Sequence, residues 1–299
     1  MFLFIRRNAV SLLLSTGCKL LILPLQIQSH LQISKPMDPI FGESGEILSL
    51  YWNFEDRLLS ETMGIPRLQS LTNSLLSQPS CGVNVSEAFE LIRAAEDVDC
   101  ALENWARRVP LKWSYTTVTR IRQSLSPQLL GSNFIPNQID RYPNLYTARV
   151  WNLYRVYRLI IQSLLFRVSS YVDLCHNQDC MEKINKNMVE GMCASVPFLL
   201  GYDLSELKNS SNSLQDENFL WPQTSMDKAS SSGHTGKFSL IWPLYIACSV
   251  PSVPAVQRRW MRAQLRWIAE TGEAQAHFVQ DAESQTLMGG PESFRFDCV

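Results

Sequence analysis

From Glu46 to Met63 the apolar positions Ile47, Leu50, Tyr51, Phe54, Leu58 and Leu59 recur at the spacing that puts side chains on one face of a helix. Gly64 and Pro66 stop the pattern, so a first amphipathic helix is expected to end there. A second start lies at Asn84, which can cap a helix while Glu87, three positions on, reaches back to it. Behind that cap Ala88, Leu91, Ile92, Ala95, Val98, Leu102, Trp105 and Val109 form one stripe. Glu96, Asp97, Glu103 and Arg107 take the opposite face, Glu103 and Arg107 as a pair four apart, and Pro110 closes the helix.

The longest uninterrupted pattern runs from Leu145 to Val172, with Val150, Trp151, Tyr154, Tyr157, Ile161, Leu164, Leu165 and Val168 as its core stripe. Ile184 to Leu200 reads as a further helix, interrupted near Pro197 and closed by Gly201. The chain then turns polar from Ser205 to Gly236, where eight serines stand among Asn, Asp and Gly, and this stretch is expected to be a flexible insertion. Phe238 to Val250 is apolar and is started or kinked by Pro243. Ala255 to Glu270 follows as a basic amphipathic helix whose buried stripe is Val256, Trp260, Ala263 and Trp267. No stretch alternates like a strand. The predicted fold is therefore all-α, a helical bundle or irregular multi-helix array with one Ser-rich loop insertion. Its expected organisation is an N-terminal segment over 1–44, a helical body over 45–290 interrupted by the insertion at 205–236, and a tail over 291–299.

Charge changes this picture at two places. Between Arg141 and Val172 stand Arg141, Arg149, Arg155, Arg158 and Arg167 with no acidic residue, which suits either an anionic partner or, as we favour, acidic side chains of the 87–103 helix packed against it. Arg258, Arg262 and Arg266 recur every four residues on the last helix and offer a weak basic face. With 27 basic and 28 acidic residues the formal charge is −1, so nothing global attracts nucleic acid.

The N-terminus superficially resembles a signal peptide, with apolar runs on both sides of Arg6 and Arg7. Lys19 splits the second run, no small-residue cleavage site follows, and neither run reaches the roughly 18 residues a membrane span needs. It is read instead as a mis-assigned first exon, with Met37 as an internal start, and no membrane association is expected. Mean hydropathy of −0.08 is far from that of a multi-span protein.

The eight cysteines are scattered at Cys18, Cys81, Cys100, Cys175, Cys180, Cys193, Cys248 and Cys298, which favours reduced, mostly buried thiols. No Cys-x2-Cys pair occurs, and Cys175 and Cys180 have only His176 beside them, too few ligands for a tetrahedral zinc site. Catalysis finds no anchor either. His30, His176, His234 and His277 sit in unrelated contexts, Gly42-Glu43-Ser44-Gly45 is not a nucleophile elbow, and Asp97 and Asp99 point to different sides of their helix. No catalytic residue, cofactor or metal is assigned.

Four local patterns remain, in order. They are Trp151-Asn152-Leu153-Tyr154-Arg155, then Met192 to Gly201 (MCASVPFLLG) with Pro197 and Gly201, then Ile241-Trp242-Pro243-Leu244-Tyr245-Ile246-Ala247, and finally Arg259-Trp260 leading to Gly272 and Gln275-Ala276. Read physically, they are packing and turn residues. Their order and spacing resemble the C-terminal regulatory region of fungal zinc binuclear cluster transcription factors over about Glu46 to Leu287. The resemblance implies a nuclear regulator of metabolic genes, secondary-metabolite clusters among them. Its partners would be the transcription machinery or a DNA-binding regulator, with a small-molecule effector also allowed. The family's DNA-binding module carries two Cys-x2-Cys-x6-Cys halves, and these 299 residues contain neither. No direct specific DNA binding is therefore expected of them. A helical scaffold or truncated regulator fragment, and a helical enzyme whose site forms only in three dimensions, stay open as alternatives.

Overall fold

In a computed structural model of the chain, which describes residues 54–77, 84–120, 134, 136–173, 178–202 and 233–288, the helices start and stop largely where caps and prolines place them. Helix α1 covers Phe54–Thr62, and α2, Ile65–Leu76, follows at once with its proline in the first turn. Pro66 thus begins a helix as well as ending one, because its missing N–H falls where a helix has no acceptor for it. Helix α3, Val85–Arg107, begins on Asn84, whose Oδ1 accepts the Glu87 N–H at 3.2 Å. Glu87 returns to the Asn84 side-chain amide at 3.0 Å, a variant of the expected box. Helix α4 spans Leu145–Tyr171, within a residue of the prediction, and is capped by Asn144 through the Thr147 N–H at 2.8 Å.

Helix α5, Gln178–Leu199, carries Pro197 inside its last turn without ending there. It closes at Gly201, whose φ of 80° is easy only for glycine, with Gly201 N–H donating to Phe198 O and Tyr202 N–H to Pro197 O, both at 3.1 Å. Helix α6 runs Gly233–Cys248 with Pro243 in its interior, α7 is Ala255–Glu270, and α8 is the short Ala274–Val279.

The fold is mostly helical, as predicted, with two corrections. Thr116–Arg120 (β1) and Gln138–Arg141 (β2) pair antiparallel, with a bulge between Thr117 and Thr119. Strands of five and four residues show too few alternations to stand out in a sequence, although the β-branched run from Thr116 to Thr119 is what a strand favours. The second correction concerns the polar insertion. Residues 203–232 lie outside the described residues, but 233–236 belong to α6. Gly236 is buried there, and a Cβ built on it would lie 1.8 Å from the Leu199 carbonyl oxygen. That glycine serves a close helix approach, not a loop. The segments 1–53 and 289–299, with the expected N-terminal segment and tail, also lie outside the described residues.

Helix α4 is the axis of the molecule. It packs against α5, α3, α6, α2 and α1, so even its polar Thr147, Asn152, Arg155, Arg158, Gln162 and Ser169 are buried. On α3 the stripe is as read, with Ala88, Leu91, Ala95, Leu102 and Trp105 buried and Ile92, Val98 and Val109 at its margin. On α7 it is not. The buried face is Gln257, Met261, Gln264, Leu265, Ile268 and Ala269, while Trp260 and Trp267 are half-buried at the seams. Large rings at a seam cover apolar surface with one face only, so their presence marked the edge of the stripe. Among the described residues no helix is long and apolar enough to cross a membrane.

Candidate functional site: the buried polar spine of α4

One turn of α4 presents its side chains to two neighbours. Trp151 and Tyr154 face α3, where Phe54, Trp105, Trp113, Trp151 and Tyr154 form a cluster with ring separations of 4.8 to 6.4 Å. The Trp151 indole N–H donates to the Trp113 carbonyl at 2.9 Å, tying the 3-10 turn Leu111–Trp113 to the helix. Asn152 and Arg155, three apart, face α5 and the hairpin instead.

Arg155 is buried. Its Nη1 donates to the Tyr142 hydroxyl at 2.9 Å and to Asn152 Oδ1 at 2.7 Å. The guanidinium lies 5.3 Å from the ring centre of Tyr115, 5.9 Å from Tyr142 and 6.0 Å from Trp151. Burial opposes its charge, and the phenols of Tyr142 and Tyr115 together with Asp140 more than offset this, so the net direction of its pKa is upward. Above it passes α5 at Gly191, where a Cβ would sit 2.6 Å from Arg155 Nε. Asn152 Nδ2 donates to Ser195 Oγ at 2.9 Å, and that hydroxyl donates to Met192 O at 2.7 Å. Two of the four sequence patterns, Trp151 to Arg155 and Met192 to Gly201, therefore meet through Asn152 and Ser195.

Of the other arginines only Arg158 meets an acidic residue of the 87–103 helix as favoured, and the rest find partners elsewhere or, among the described residues, none of opposite charge. Arg158 pairs with Asp99 of α3 at 2.6 Å and donates to the Tyr154 hydroxyl at 3.1 Å. Arg149 reaches Glu55 of α1, and Arg167 reaches the Asn73 side-chain oxygen of α2, each at 2.5 Å. Arg141 is exposed at the end of β2. Asp97 is exposed while Asp99 is held by Arg158, so the two carboxylates share no site.

The remaining sequence-chosen residues do not join this spine. Trp242 packs near Tyr245, Pro243 lies within α6, and Trp260 meets Phe134 at 5.3 Å. The expected basic face is largely spoken for. Arg258 donates to the carbonyls of Val250, Pro251 and Val253, Arg262 to those of Gln280 and Ala282, and Arg266 to Asp281 at 3.1 Å. Read from sequence alone, the spine lacked Tyr115, Asp140, Tyr142 and Gly191, while Ser195 stood within the Met192 to Gly201 pattern without a partner assigned. The available signal was an arginine three positions from an asparagine on an otherwise buried helix, which requires partners from elsewhere.

Asp140, wholly buried, accepts from the Thr117 hydroxyl at 2.9 Å and from the Gln138 amide at 3.2 Å. Burial raises its carboxyl above the ordinary range, a shift that Arg155, Thr117 and Gln138 only partly oppose. Its contribution to stability is therefore fully present below the unfolded value of about 3.9 and is lost as pH rises through the higher folded value. Denaturant unfolding at a series of pH values checks this. Wild type should lose stability relative to Asp140→Asn as pH rises above about 4, and a relative gain would contradict the assignment.

Chemically the spine is a set of groups bonded to one another. Among the described residues no three His, Cys, Asp or Glu side chains come together as a metal site. Burial pushes the Cys193 and Cys248 thiols up to about 12, which keeps them protonated. Cys100 and Cys180 are exposed, against the expectation of mostly buried thiols.

The arrangement defines a helical body organised around a buried arginine. No family model matches the chain, and no solved structure matches it. Among curated proteins it is similar to Transcription factor dbaG of Emericella nidulans, 28% identical over 203 residues. The match covers 67% of this chain and 45% of that protein, so it spans less than half the length of the relative. That relative is named as a transcription factor.

Proposed function

We propose that this chain is the regulatory body of a fungal zinc-cluster transcription regulator, working in the nucleus on metabolic genes, secondary-metabolite clusters among them. Sequence-specific DNA reading is supplied from outside these 299 residues. The observation that carries the proposal is the 203-residue similarity to a protein named as a transcription factor. The meeting of two motif segments at Asn152 and Ser195 supports it, because it gives those segments a common structural role. The ties of Arg258 and Arg262 to backbone carbonyls support the lack of a reader, since side chains held in this way are poorly placed to probe base edges, while Arg266 pairs with the Asp281 carboxylate.

The test is a fusion of the full chain to a heterologous DNA-binding module with a reporter behind the matching operator. Reporter output is expected to change several-fold against the module alone, and the unfused protein should give no footprint at physiological salt. A folded, nuclear fusion that leaves the reporter flat, or a discrete footprint by the unfused chain, would overturn the proposal.

A further inference from the structure

Residues 280–288 run past α7, the end of α6, α2 and α4 before closing in the 3-10 turn Thr286–Met288. Arg262 of α7 donates to the carbonyls of Gln280 and Ala282 at 3.2 and 3.4 Å. The Ser284 N–H donates to Ser249 Oγ, just beyond α6, at 2.7 Å. Gln69 of α2 donates to Thr286 O at 3.1 Å, and Ser163 of α4 donates to Leu287 O. Four of the five bonds thus run from a helix side chain to the segment's carbonyls. A groove holds a docked peptide in this way, by its main chain, and here the segment closes in the 3-10 turn Thr286–Met288 that carries Leu287.

Side-chain selectivity is superimposed on this. Asp281 meets Arg266 at 3.1 Å and Glu283 meets Arg262 at 3.5 Å. Leu287, only 4% exposed, is the apolar anchor, seated where Ser163 of α4 receives its carbonyl. Beside that seat stand exposed apolar side chains, Met288 at 64% and Phe166, one turn of α4 past Ser163, at 49%. Apart from Ser284 and Leu287, the segment from Asp281 to Met288 buries no residue. A stretch held by separate polar bonds, with Leu287 buried and Ala282 partly covered, belongs to the low end of local stability in a folded chain.

We propose that residues 281–288 are a releasable strap, bound in cis in a peptide-binding groove formed by Gln69, Ser163, Ser249, Arg262 and Arg266. The groove selects a peptide with two acidic residues, two apart, followed four positions later by a leucine in a 3-10 turn. The arginine ladder of α7 is then part of a peptide clamp. Strap release frees the groove for a partner segment of the same chemistry. The inference goes beyond the proposed function and does not depend on it.

Hydrogen exchange on the full wild-type chain is the first measurement. The Ser284 and Met288 amides should exchange at least about ten-fold faster than the central amides of α4, by local opening. The second uses a labelled synthetic peptide of residues 279–288 against the full chain. It should bind the Leu287→Asp variant, whose own strap is disabled, at least about ten-fold more tightly than wild type, which competes in cis. A peptide carrying Lys at positions 281 and 283 should bind that variant correspondingly less well. The proposal is overturned if strap amides exchange no faster than those of α4, if Leu287→Asp fails to fold, or if the peptide does not distinguish the variant from wild type.

Discussion

Replacing Arg155 by alanine is expected to lower the stability of the fold by about 3–5 kcal/mol, because it removes one partner from a buried charged network and leaves the others unpaired. Tyr142 loses its hydroxyl's donor, Asn152 Oδ1 loses its bond from the guanidinium, and Asp140 keeps its burial without the nearest compensating charge. The last loss gives the variant a signature. The destabilisation should grow as pH rises above the ordinary carboxylate range, since ionised Asp140 is what the missing cation would have offset. Adding Asp140→Asn should recover part of the loss at neutral pH, a coupling that a double-mutant cycle in urea measures. Arg155→Lys should not restore it. An ammonium can donate to both Tyr142 and Asn152, but it has no planar group to lie over Tyr115, Tyr142 and Trp151 as the guanidinium does. A loss below about 1 kcal/mol in Arg155→Ala, about what an exposed ion pair contributes, would mean that the spine does not organise the fold.

That network also marks the limit of what the sequence made legible. Helices α3 and α4 were readable nearly to the residue because each carries many turns of one period, and α3 also a local cap, Asn84 with Glu87; the Asn144 cap of α4 went unread. The α7 stripe was assigned a face too far because Trp260 and Trp267 dominate its composition, whereas its buried side uses Gln257 and Gln264 beside Met261 and Leu265. The Gln257 amide lies 3.6 Å from the Cys193 sulfur, a partnership between α7 and α5 that no local pattern announces. The arginine ladder was readable as a spacing but not as a function. What Arg262 grips is 18 and 20 residues further along the chain. The hairpin failed for a similar reason, since Thr117 finds its partner Asp140 at a separation of 23 residues. Periodicity reports which face of an element is covered, and it is silent about which polar group on another element covers it.

Trp151 provides the second large effect, and the contrast with Trp260 makes it decisive. Both were chosen from sequence as motif tryptophans on helices, yet Trp151 is 8% exposed and touches Phe54, Trp105, Tyr115 and Tyr154, whereas Trp260 is half-buried against Phe134. Trp151→Ala should cost about 3–5 kcal/mol, combining lost transfer energy with a cavity that α3 and α4 cannot close without moving. It also leaves the Trp113 carbonyl without the indole N–H, so the turn Leu111–Trp113 should loosen with it. Trp151→Phe keeps most of the ring contact and loses that bond, and should fall between wild type and alanine. Trp260→Ala should cost less than half as much as Trp151→Ala, because a ring at a seam gives up less apolar area. Thermal and urea unfolding supply the ranking. Near-ultraviolet circular dichroism supplies an independent readout, since Trp105, Trp113, Trp151 and Tyr154 are close enough for their transitions to couple. Removing Trp151 should collapse that signal, and removing Trp260 should leave it. Equal losses from the two tryptophan-to-alanine variants would contradict the placement of Trp151 at the meeting point of α1, α3 and α4.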